Sequence, residues 1–330
     1  MKYLVFVLSL PLIIFSLFGC QSKDVSPPPD QPLQSYEDLV DLFKEWRVFE
    51  NPPLKDGAPD YTVETFEQRW PEFKKLQAKL QTMDVSNWPI EQQVDWHVVW
   101  ADMNGYDLNH RLLMPWARDP AFYQTLWMGR SDVPAHEGPC NHGLTDLWTY
   151  EFPLNEEEKQ RLIGDLSIIP PLTKQAKMNL TGNAKDLWVA GIRDIHSQHK
   201  NLETILDLPG VGDDPELKTA INNAVASTKD FASWLETESK SKTGPSGIGK
   251  ENYTWYLQKV HLVPLTWEDE VMILKRELAR AWSSLKLEEH RNRNLPQLID
   301  VDSPEAFDVL ADASANSLMA FLEQEDMVTV

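Results

Sequence analysis

Residues 90–112 read IEQQVDWHVVWADMNGYDLNHRL and carry the clearest periodic signal in the chain. Apolar or small residues recur there in steps of four and three, at Ile90, Val94, Val98, Ala101, Gly105, Leu108 and Leu112. Because an α-helix turns once in about 3.6 residues, these positions share one face of a long helix. The spacing predicts that this face is buried and that a neighbouring helix approaches closely at Gly105.

Helical periodicity and helix-start signals continue over the rest of the chain. Capping boxes are predicted at Ser35–Asp38, Asn155–Glu158 and Thr266–Asp269. Helices with a proline in the first turn are predicted after Asp214 and Ser303. The two-residue period of a strand is weak everywhere, with residues 326–330 as its best candidate. The predicted fold class is therefore all-α, a multi-helix body of about ten helices.

The predicted helices are amphipathic, with apolar residues along one face. After Ser35 this face consists of Tyr36, Leu39, Val40, Phe43 and Trp46. Pro71 interrupts the next stripe, so a kink or a new first turn is expected there. The last two segments carry faces made of Trp267, Val271, Leu274, Leu278, Ala281 and Leu285, and of Phe307, Leu310, Leu318 and Leu322.

The first twenty residues predict export. Lys2 precedes an apolar run, Tyr3 to Phe18, that is shorter than the roughly 20 residues of a spanning helix, and Gly19-Cys20 ends it. This ending resembles the lipobox of bacterial lipoproteins, which implies cleavage before Cys20 and a lipid on that cysteine. Gln21 is not the aspartate of an inner-membrane retention signal, so the expected location is the outer membrane, facing the periplasm. An ordinary signal peptide with an incidental cysteine is the alternative.

The predicted organisation has three parts. Residues 1–19 are the signal peptide, and residues 20–33 are the lipidated cysteine with a polar, proline-rich tether. Residues 34–330 form the helical domain. The formal net charge of −20 leaves no basic stripe for phosphates, so nucleic acid is not an expected partner, and membrane attachment rests on lipid at Cys20. The thirteen tryptophans are expected in the core, with a glycan-binding platform as the alternative.

Two short motifs imitate ligand sites. Residues 244–250 read GPSGIGK and match the spacing of a phosphate-binding loop, but Glu251 replaces the hydroxyl residue and no strand precedes it. We therefore predict a loop without nucleotide. Residues 136–142 read HEGPCNH and bring together metal-type ligands, but Gly138-Pro139 prevents a helix between His136 and His142. We predict a turn with polar contacts and no metal site.

A candidate groove contains His196, His199 and Tyr253. The two histidines lie three residues apart on a predicted helix, so both could face one cavity. His199 also continues an apolar stripe, and the alternative is that it is an ordinary core residue. Because the sequence does not show which of these side chains lie close together in space, no catalytic residue is predicted.

Several short blocks, in their shared order, resemble the bacterial domain-of-unknown-function 885 family over residues 34–330. The blocks are residues 95–120, 168–171, 248–257, 265–266 and 276–278. Full-length members look like helical zinc peptidases with an H-E-x-x-G-H motif in their C-terminal half. This sequence has no such motif, so no catalytic residue of the family can be placed on it, and zinc is expected only where a missing C-terminal half is present.

Two functions follow as hypotheses. The first is a membrane-anchored lipoprotein equivalent to the non-catalytic N-terminal half of a zinc-peptidase-like protein, which would shape one side of a groove for a peptide. The alternative is a standalone envelope lipoprotein that binds peptides or glycans. An exposed apolar patch would favour the first hypothesis, and a tryptophan-lined cleft would favour the second.

Overall fold

The computed structural model describes residues 35–130, 140–296 and 300–327. Within them lie the helices α1 (Tyr36–Glu50), α2 (Val63–Gln81), α3 (Ile90–Leu108), α4 (Pro115–Arg118), α5 (Glu156–Ser167), α6 (Ile169–Asn179), α7 (Lys185–Ile205), α8 (Pro215–Glu238), α9 (Lys250–Lys259), α10 (Trp267–Arg291) and α11 (Pro304–Gln324). A π-helical turn covers Asn109–Leu113, and short 3-10 turns cover Pro120–Tyr123, Leu147–Thr149 and Ser239–Ser241. The all-α prediction is confirmed.

The strands of the described residues are two residues long. β1 (Leu54–Lys55) pairs antiparallel with β2 (Ala58–Pro59), and β3 (Leu126–Trp127) pairs in parallel with β4 (Thr145–Asp146). The weak strand candidate at residues 326–330 is wrong at Asp326 and Met327, which form a turn and a bend. Residues 328–330 lie outside the described residues.

The chain divides into two compact units, one that ends at Pro264 and one that begins at Leu265. The sequence treats residues 34–330 as one domain, so this boundary adds a division that the helical periodicity does not signal. It falls directly before the capping box of α10. Each unit is described by itself below.

The predicted helix starts are confirmed. In the capping boxes of α1, α5 and α10, the side chains of Ser35, Asn155 and Thr266 each accept a hydrogen bond from the backbone N–H of the third helical residue. The carboxylate of that third residue accepts a hydrogen bond from the backbone N–H of the capping residue. Asp214 and Ser303 cap α8 and α11 in the same manner from one side. Each such cap stabilises its helix by about 1 kcal/mol.

The first unit buries three apolar clusters. One joins α1, α2 and α3 around Trp46, Phe73 and Met103. A second lies under α6, α7 and α8 around Trp188 and Phe231. The third joins α5 to the far ends of α7 and α8 and consists of Leu126, Leu147, Tyr150, Leu162, Leu166, Ile169, Leu202, Ile205, Val211, Leu217, Ile221 and Ala224.

One predicted detail near the start of the chain is wrong, and one of the two outcomes expected at Pro71 does not occur. The buried face of α1 contains Leu42 and Phe49 in addition to Leu39 and Trp46, while Phe43 is exposed. From Leu39 the buried positions advance by three, four and three residues, so the buried face runs beside Phe43 and leaves it exposed. In α2 the helix continues through Pro71, so no new first turn forms there.

The long helix over residues 90–108 forms, but its N-terminal half buries a different face. Ile90, Val94 and Val98 are exposed, at 75%, 53% and 53%. Val99 and Met103 pack against α1 and α2 instead, because those helices cover the adjacent face. The predicted stripe enters the interior only where Ala101 and Leu108 are buried.

The close approach at Gly105 is confirmed. A Cβ atom on Gly105 would lie 3.4 Å from Cγ1 of Val260, just past the end of α9. Beside it, Asn104 Nδ2 donates a hydrogen bond of 3.1 Å to the carbonyl of Lys259. The absence of a side chain at Gly105 therefore lets α9 lie against α3.

Candidate functional site

A distorted segment follows α3 and builds the best-formed site of the first unit. The helix widens into the π-helical turn Asn109–Leu113, and Met114 then adopts a left-handed conformation with φ of 40°. Pro115 starts α4 immediately afterwards. Both the π-turn and a non-glycine residue at positive φ are uncommon, and such features are often found at functional sites. The segment places His110 between two cavities.

His110 is surrounded by aromatic rings. Its ring stacks on Tyr106 with the centroids 3.8 Å apart, and the rings of Phe66 and Trp116 lie 4.7 and 4.8 Å away. Nδ1 lies 2.8 Å from the carbonyl of Tyr106, which only accepts, so Nδ1 carries the proton. Burial lowers the pKa of His110 to about 4. The imidazole is therefore neutral at pH 7, with Nε2 as a hydrogen-bond acceptor.

A cavity of about 500 Å³, called the aromatic pocket here, opens on one side of His110. It is lined by Val63, Phe66, Glu67, Trp70, Pro71, His110, Arg111, Met114 and Trp116. Its volume and its mostly apolar lining with a few polar groups are typical of small-molecule sites. Since His110 is neutral, the charged groups of this lining are Glu67 and Arg111.

The charges beside the aromatic pocket are partly compensated. Asp107 accepts hydrogen bonds of 2.5 Å from Arg111 Nε and 2.7 Å from Lys74 Nζ. Burial alone would raise the pKa of Asp107, but the hydrogen bonds from Lys74 and Arg111 outweigh it and hold the pKa below its usual value. The guanidinium of Arg111 also lies 4.7 Å from the ring centre of Trp255. Arg111 is therefore held in place from two sides.

A smaller cavity of about 250 Å³ lies on the other side of His110 and is called the polar pocket here. Its lining includes Tyr61, Cys140 and His142. The hydroxyl of Tyr61 accepts a 2.6 Å hydrogen bond from the backbone N–H of His142 and lies 2.9 Å from Nδ1 of that ring. Burial lowers the pKa of His142 and raises the pKa of the Cys140 thiol. The polar pocket is thus hydrogen-bonded and lacks a reactive thiolate.

This geometry bears on the predicted cluster at residues 136–142. His136 and Glu137 lie outside the described residues. His142 is held by Tyr61, a polar contact of the kind expected for a turn. In the described part of the chain, no three His, Cys, Asp or Glu side chains are grouped so that they could hold a metal ion.

The three residues of the predicted groove lie on two helices. His196 and His199 are on α7, and Tyr253 is on α9. His196 Nε2 lies 2.8 Å from a carboxylate oxygen of Glu236, at an exposed position. His199 Nδ1 lies 3.9 Å from Glu203. The groove remains a prediction.

Residues 244–249 form a loop that holds the start of α7, and Lys250 begins α9. Asn183 Oδ1 accepts hydrogen bonds of 2.7 Å from the backbone N–H groups of both Thr243 and Gly244. Ser246 Oγ accepts hydrogen bonds from the N–H groups of Asp186 and Leu187, in the first turn of α7. These contacts give the glycine-rich segment a structural role, and the absence of nucleotide stays a prediction.

The sequence did not reveal the aromatic pocket, although two pairs of residues indicated it. Phe66 and Trp70 are four residues apart on α2, and Tyr106 and His110 have the same spacing at the end of α3. Residues at this spacing face the same side of a helix. His110 lies within the π-turn that follows Leu108, and no sequence pattern signals that turn.

Comparison with known proteins identifies a likeness of fold. A solved structure of a presumed lipoprotein of unknown function from Shewanella oneidensis aligns with a TM-score of 0.51 and 15% sequence identity. The alignment covers 90% of this chain and 59% of that protein, so the chain spans about three fifths of its length. No protein-family model matches the chain, and no curated protein matches it in sequence. The resemblance to the domain-of-unknown-function 885 family therefore stays a sequence-based prediction.

The helices of the second unit expose their apolar faces. Neither α10 nor α11 has a buried residue. Leu278 on α10 is 68% exposed, and Leu310 on α11 is 56% exposed. None of the described helices is both long and apolar enough to cross a membrane.

Proposed function

We propose that the chain is a lipid-anchored protein of the bacterial cell envelope whose helices form the non-catalytic part of a larger helical protein or assembly. Gly19-Cys20 at the end of an apolar signal supports the anchor, although both residues lie outside the described residues. The presumed lipoprotein nature of the Shewanella oneidensis protein is consistent with it. Gln21 favours the outer membrane, with the protein facing the periplasm.

The observation that carries this proposal is the apolar face of α10. Its residues recur in steps of four and three, the spacing of a helix that packs along another helix, and consist of Trp267, Val271, Leu274, Leu278, Ala281 and Leu285. Leu274, Leu278 and Leu285 are all exposed. A contiguous apolar surface of this kind marks an interaction site. The occupant we propose is a further helical body, and the proposal is supported by the greater length of the Shewanella oneidensis protein, of which the alignment covers 59%.

In this proposal the present helices shape one side of a groove for a peptide, and any zinc and catalytic residues belong to the further body. The peptide ligand and the zinc are inferred from the resemblance to helical zinc peptidases. The chain alone is then expected to show no chelator-sensitive cleavage of unstructured peptides, because its eight histidines include no H-E-x-x-H arrangement.

The exposed face is tested by one substitution and a matched control. In the purified chain, Leu278→Glu should lower the fluorescence of an apolar dye that binds the α10 face and change the free energy of unfolding by less than about 0.5 kcal/mol. Val189→Glu, at another exposed position on α7, should leave the dye signal unchanged. If Leu278→Glu instead unfolds the second unit, or leaves the dye signal intact, α10 is not an open docking face.

A second candidate function is supported by the aromatic pocket. Trp70 and Trp116 line it, as expected for a standalone envelope protein that binds a peptide or a glycan. Tryptophan fluorescence of the chain should then change on titration with apolar peptides or with oligosaccharides. A chain that responds to neither, while the dye experiment succeeds, would leave the first candidate alone.

A further inference from the structure

We propose that the aromatic pocket binds an apolar α-amino acid with a free ammonium and a free carboxylate, supplied as a free amino acid or as a dipeptide. This inference rests on the second candidate function, in which the pocket takes a ligand. It adds the chemical class of that ligand, and it does not depend on what covers α10.

The apolar part of the ligand follows from the pocket wall. Three aromatic side chains, Phe66, Trp70 and Trp116, line the cavity together with Val63, Pro71 and Met114. Removing an apolar side chain from water against such a wall favours binding. His110 adds a further ring, which is held by the Tyr106 carbonyl and kept uncharged at pH 7 by burial, which lowers its pKa. The wall therefore selects an aliphatic or aromatic side chain.

The charged part of the ligand follows from Glu67 and Arg111. Arg111 uses Nε for Asp107, and its terminal nitrogens make no hydrogen bond within the described residues. Glu67 likewise has neither a hydrogen bond nor an ion pair in the described part of the chain, and it is exposed. A guanidinium fits a carboxylate, and a carboxylate fits an ammonium. Both groups line the same cavity, so each is available to one end of a zwitterion.

Neighbouring charges do not change this balance. Lys74 is paired with Asp107, and its ammonium lies 4.6 Å from the ring centre of Trp70. Arg69 donates to the carbonyl oxygens of Phe49 and Asn51. A ligand with only a carboxylate would meet Glu67, and a ligand with only an ammonium would meet Arg111. A zwitterion satisfies both groups and leaves the site neutral.

Four probes test the two charges on the full chain. L-phenylalanine and the dipeptide of phenylalanine carry both free ends, N-acetyl-phenylalanine lacks the ammonium, and phenylalanine amide lacks the carboxylate. By calorimetry or tryptophan fluorescence, each blocked probe should bind at least about tenfold more weakly than phenylalanine. Tighter binding of phenylalanine or of its dipeptide then assigns the source.

Two variants test whether Glu67 and Arg111 cause the weaker binding of the two blocked probes. In Glu67→Gln the penalty for N-acetyl-phenylalanine should shrink, and in Arg111→Lys the penalty for phenylalanine amide should shrink. Glu64→Gln, on the same helix but outside the pocket lining, should retain both penalties. The thermal midpoint of each variant shows whether it has folded, and Arg111→Lys retains a positive charge beside Asp107.

The outcomes separate this inference from the second candidate function. Equal binding of all four probes would overturn the zwitterion and leave an apolar binding site standing. Unchanged penalties in both variants would overturn the roles of Glu67 and Arg111. No binding of any probe, together with no response to apolar peptides or oligosaccharides, would overturn the inference and the second candidate together.

Discussion

His110 donates its Nδ1 proton to the carbonyl of Tyr106 across 2.8 Å, and the two rings stack with their centroids 3.8 Å apart. This pairing places a histidine one turn after a tyrosine, at the point where α3 gives way to the π-turn. The carbonyl bond defines the tautomer, and the surrounding rings exclude water. The histidine therefore behaves as an apolar ring with one acceptor nitrogen.

The first prediction concerns pH. Because burial lowers the pKa of His110 from about 6.5 to about 4, the unfolded chain binds this proton more readily than the folded chain. The neutral histidine therefore contributes stability above pH 6.5, and that contribution is lost as the pH falls from 6.5 towards 4. Its full size is about 3 kcal/mol, and most of it, about 2.5 kcal/mol, should be lost between pH 7.0 and about pH 4.5, as measured by denaturant unfolding.

His110→Gln is the matched variant for this experiment. Glutamine does not titrate, so the difference in unfolding free energy between wild type and variant should shrink as the pH falls. His142, whose pKa burial also lowers, contributes with the same sign and is present in both proteins. A difference that stays constant between pH 7 and pH 4.5 would mean that His110 is not held neutral by the fold.

The second prediction uses two glycines of the loop that resembles a phosphate-binding site. At Gly244 a Cβ atom would lie 2.3 Å from the backbone oxygen of Asn183, whereas at Gly247 nothing lies within 4 Å. Gly244→Ala should therefore destabilise the chain by about 1–3 kcal/mol, as overpacking does, and Gly247→Ala should be nearly neutral. Thermal or denaturant unfolding measures both.

An ATP titration, together with the two glycine variants, distinguishes a structural loop from a loop that binds a ligand. If the segment bound a nucleotide, Lys250→Ala would remove measurable affinity for ATP. We expect none in the wild type, and we expect the damage from Gly244→Ala to appear in the stability of the α7 start. Equal stability of the two alanine variants would contradict the contact between Gly244 and Asn183.

Local signals predicted the helix starts well, and long-range packing explains most of the errors. Ser35, Asn155 and Thr266 are caps because the bonds they make lie within four residues of chain. The face of α3 could not be predicted in the same way. Val94 and Val99 are both apolar, and the positions of α1 and α2 decide which of them is buried.

The aromatic pocket required two long-range facts that sequence periodicity does not contain. Phe66 and His110 are 44 positions apart in the numbering, and their rings lie 4.7 Å apart, with His110 in the π-turn that follows Leu108. The π-turn is followed by Met114 at a φ of 40°, a value that methionine rarely adopts. The apolar pattern continues to Leu112, so it predicts the helix but gives no sign of the distortion or of the pocket beside it.

The third prediction concerns the anchor. If Cys20 carries lipid, Cys20→Ser should leave the membrane fraction and lose the label from lipid precursors. Cys140→Ser is the matched control, because Cys140 lies in the folded first unit and should not affect fractionation. A Cys20→Ser protein that still fractionates with membranes, together with a wild-type protein that takes up no lipid label, would contradict lipid anchoring at that residue.

The last prediction concerns the polar pocket. The hydroxyl of Tyr61 accepts a hydrogen bond from the backbone N–H of His142 and lies within hydrogen-bond distance, 2.9 Å, of Nδ1 of the same ring. Burial raises the pKa of Tyr61, so the hydroxyl keeps its proton throughout the neutral range. Tyr61→Phe removes both bonds and leaves two polar atoms of His142 without their partner.

Because a buried polar group without a partner costs about 1–3 kcal/mol, Tyr61→Phe should lower the free energy of unfolding by that amount. Tyr36→Phe is the matched control. Its hydroxyl bonds Asp95 at an exposed position, where water replaces the lost partner, so the loss should be smaller than that of Tyr61→Phe. The altered side chain should also loosen His142, and NMR of the imidazole should then show its pKa moving back towards 6.5 as water enters. A Tyr61→Phe protein as stable as wild type, with an unchanged His142 titration, would show that this pair does not hold the pocket together.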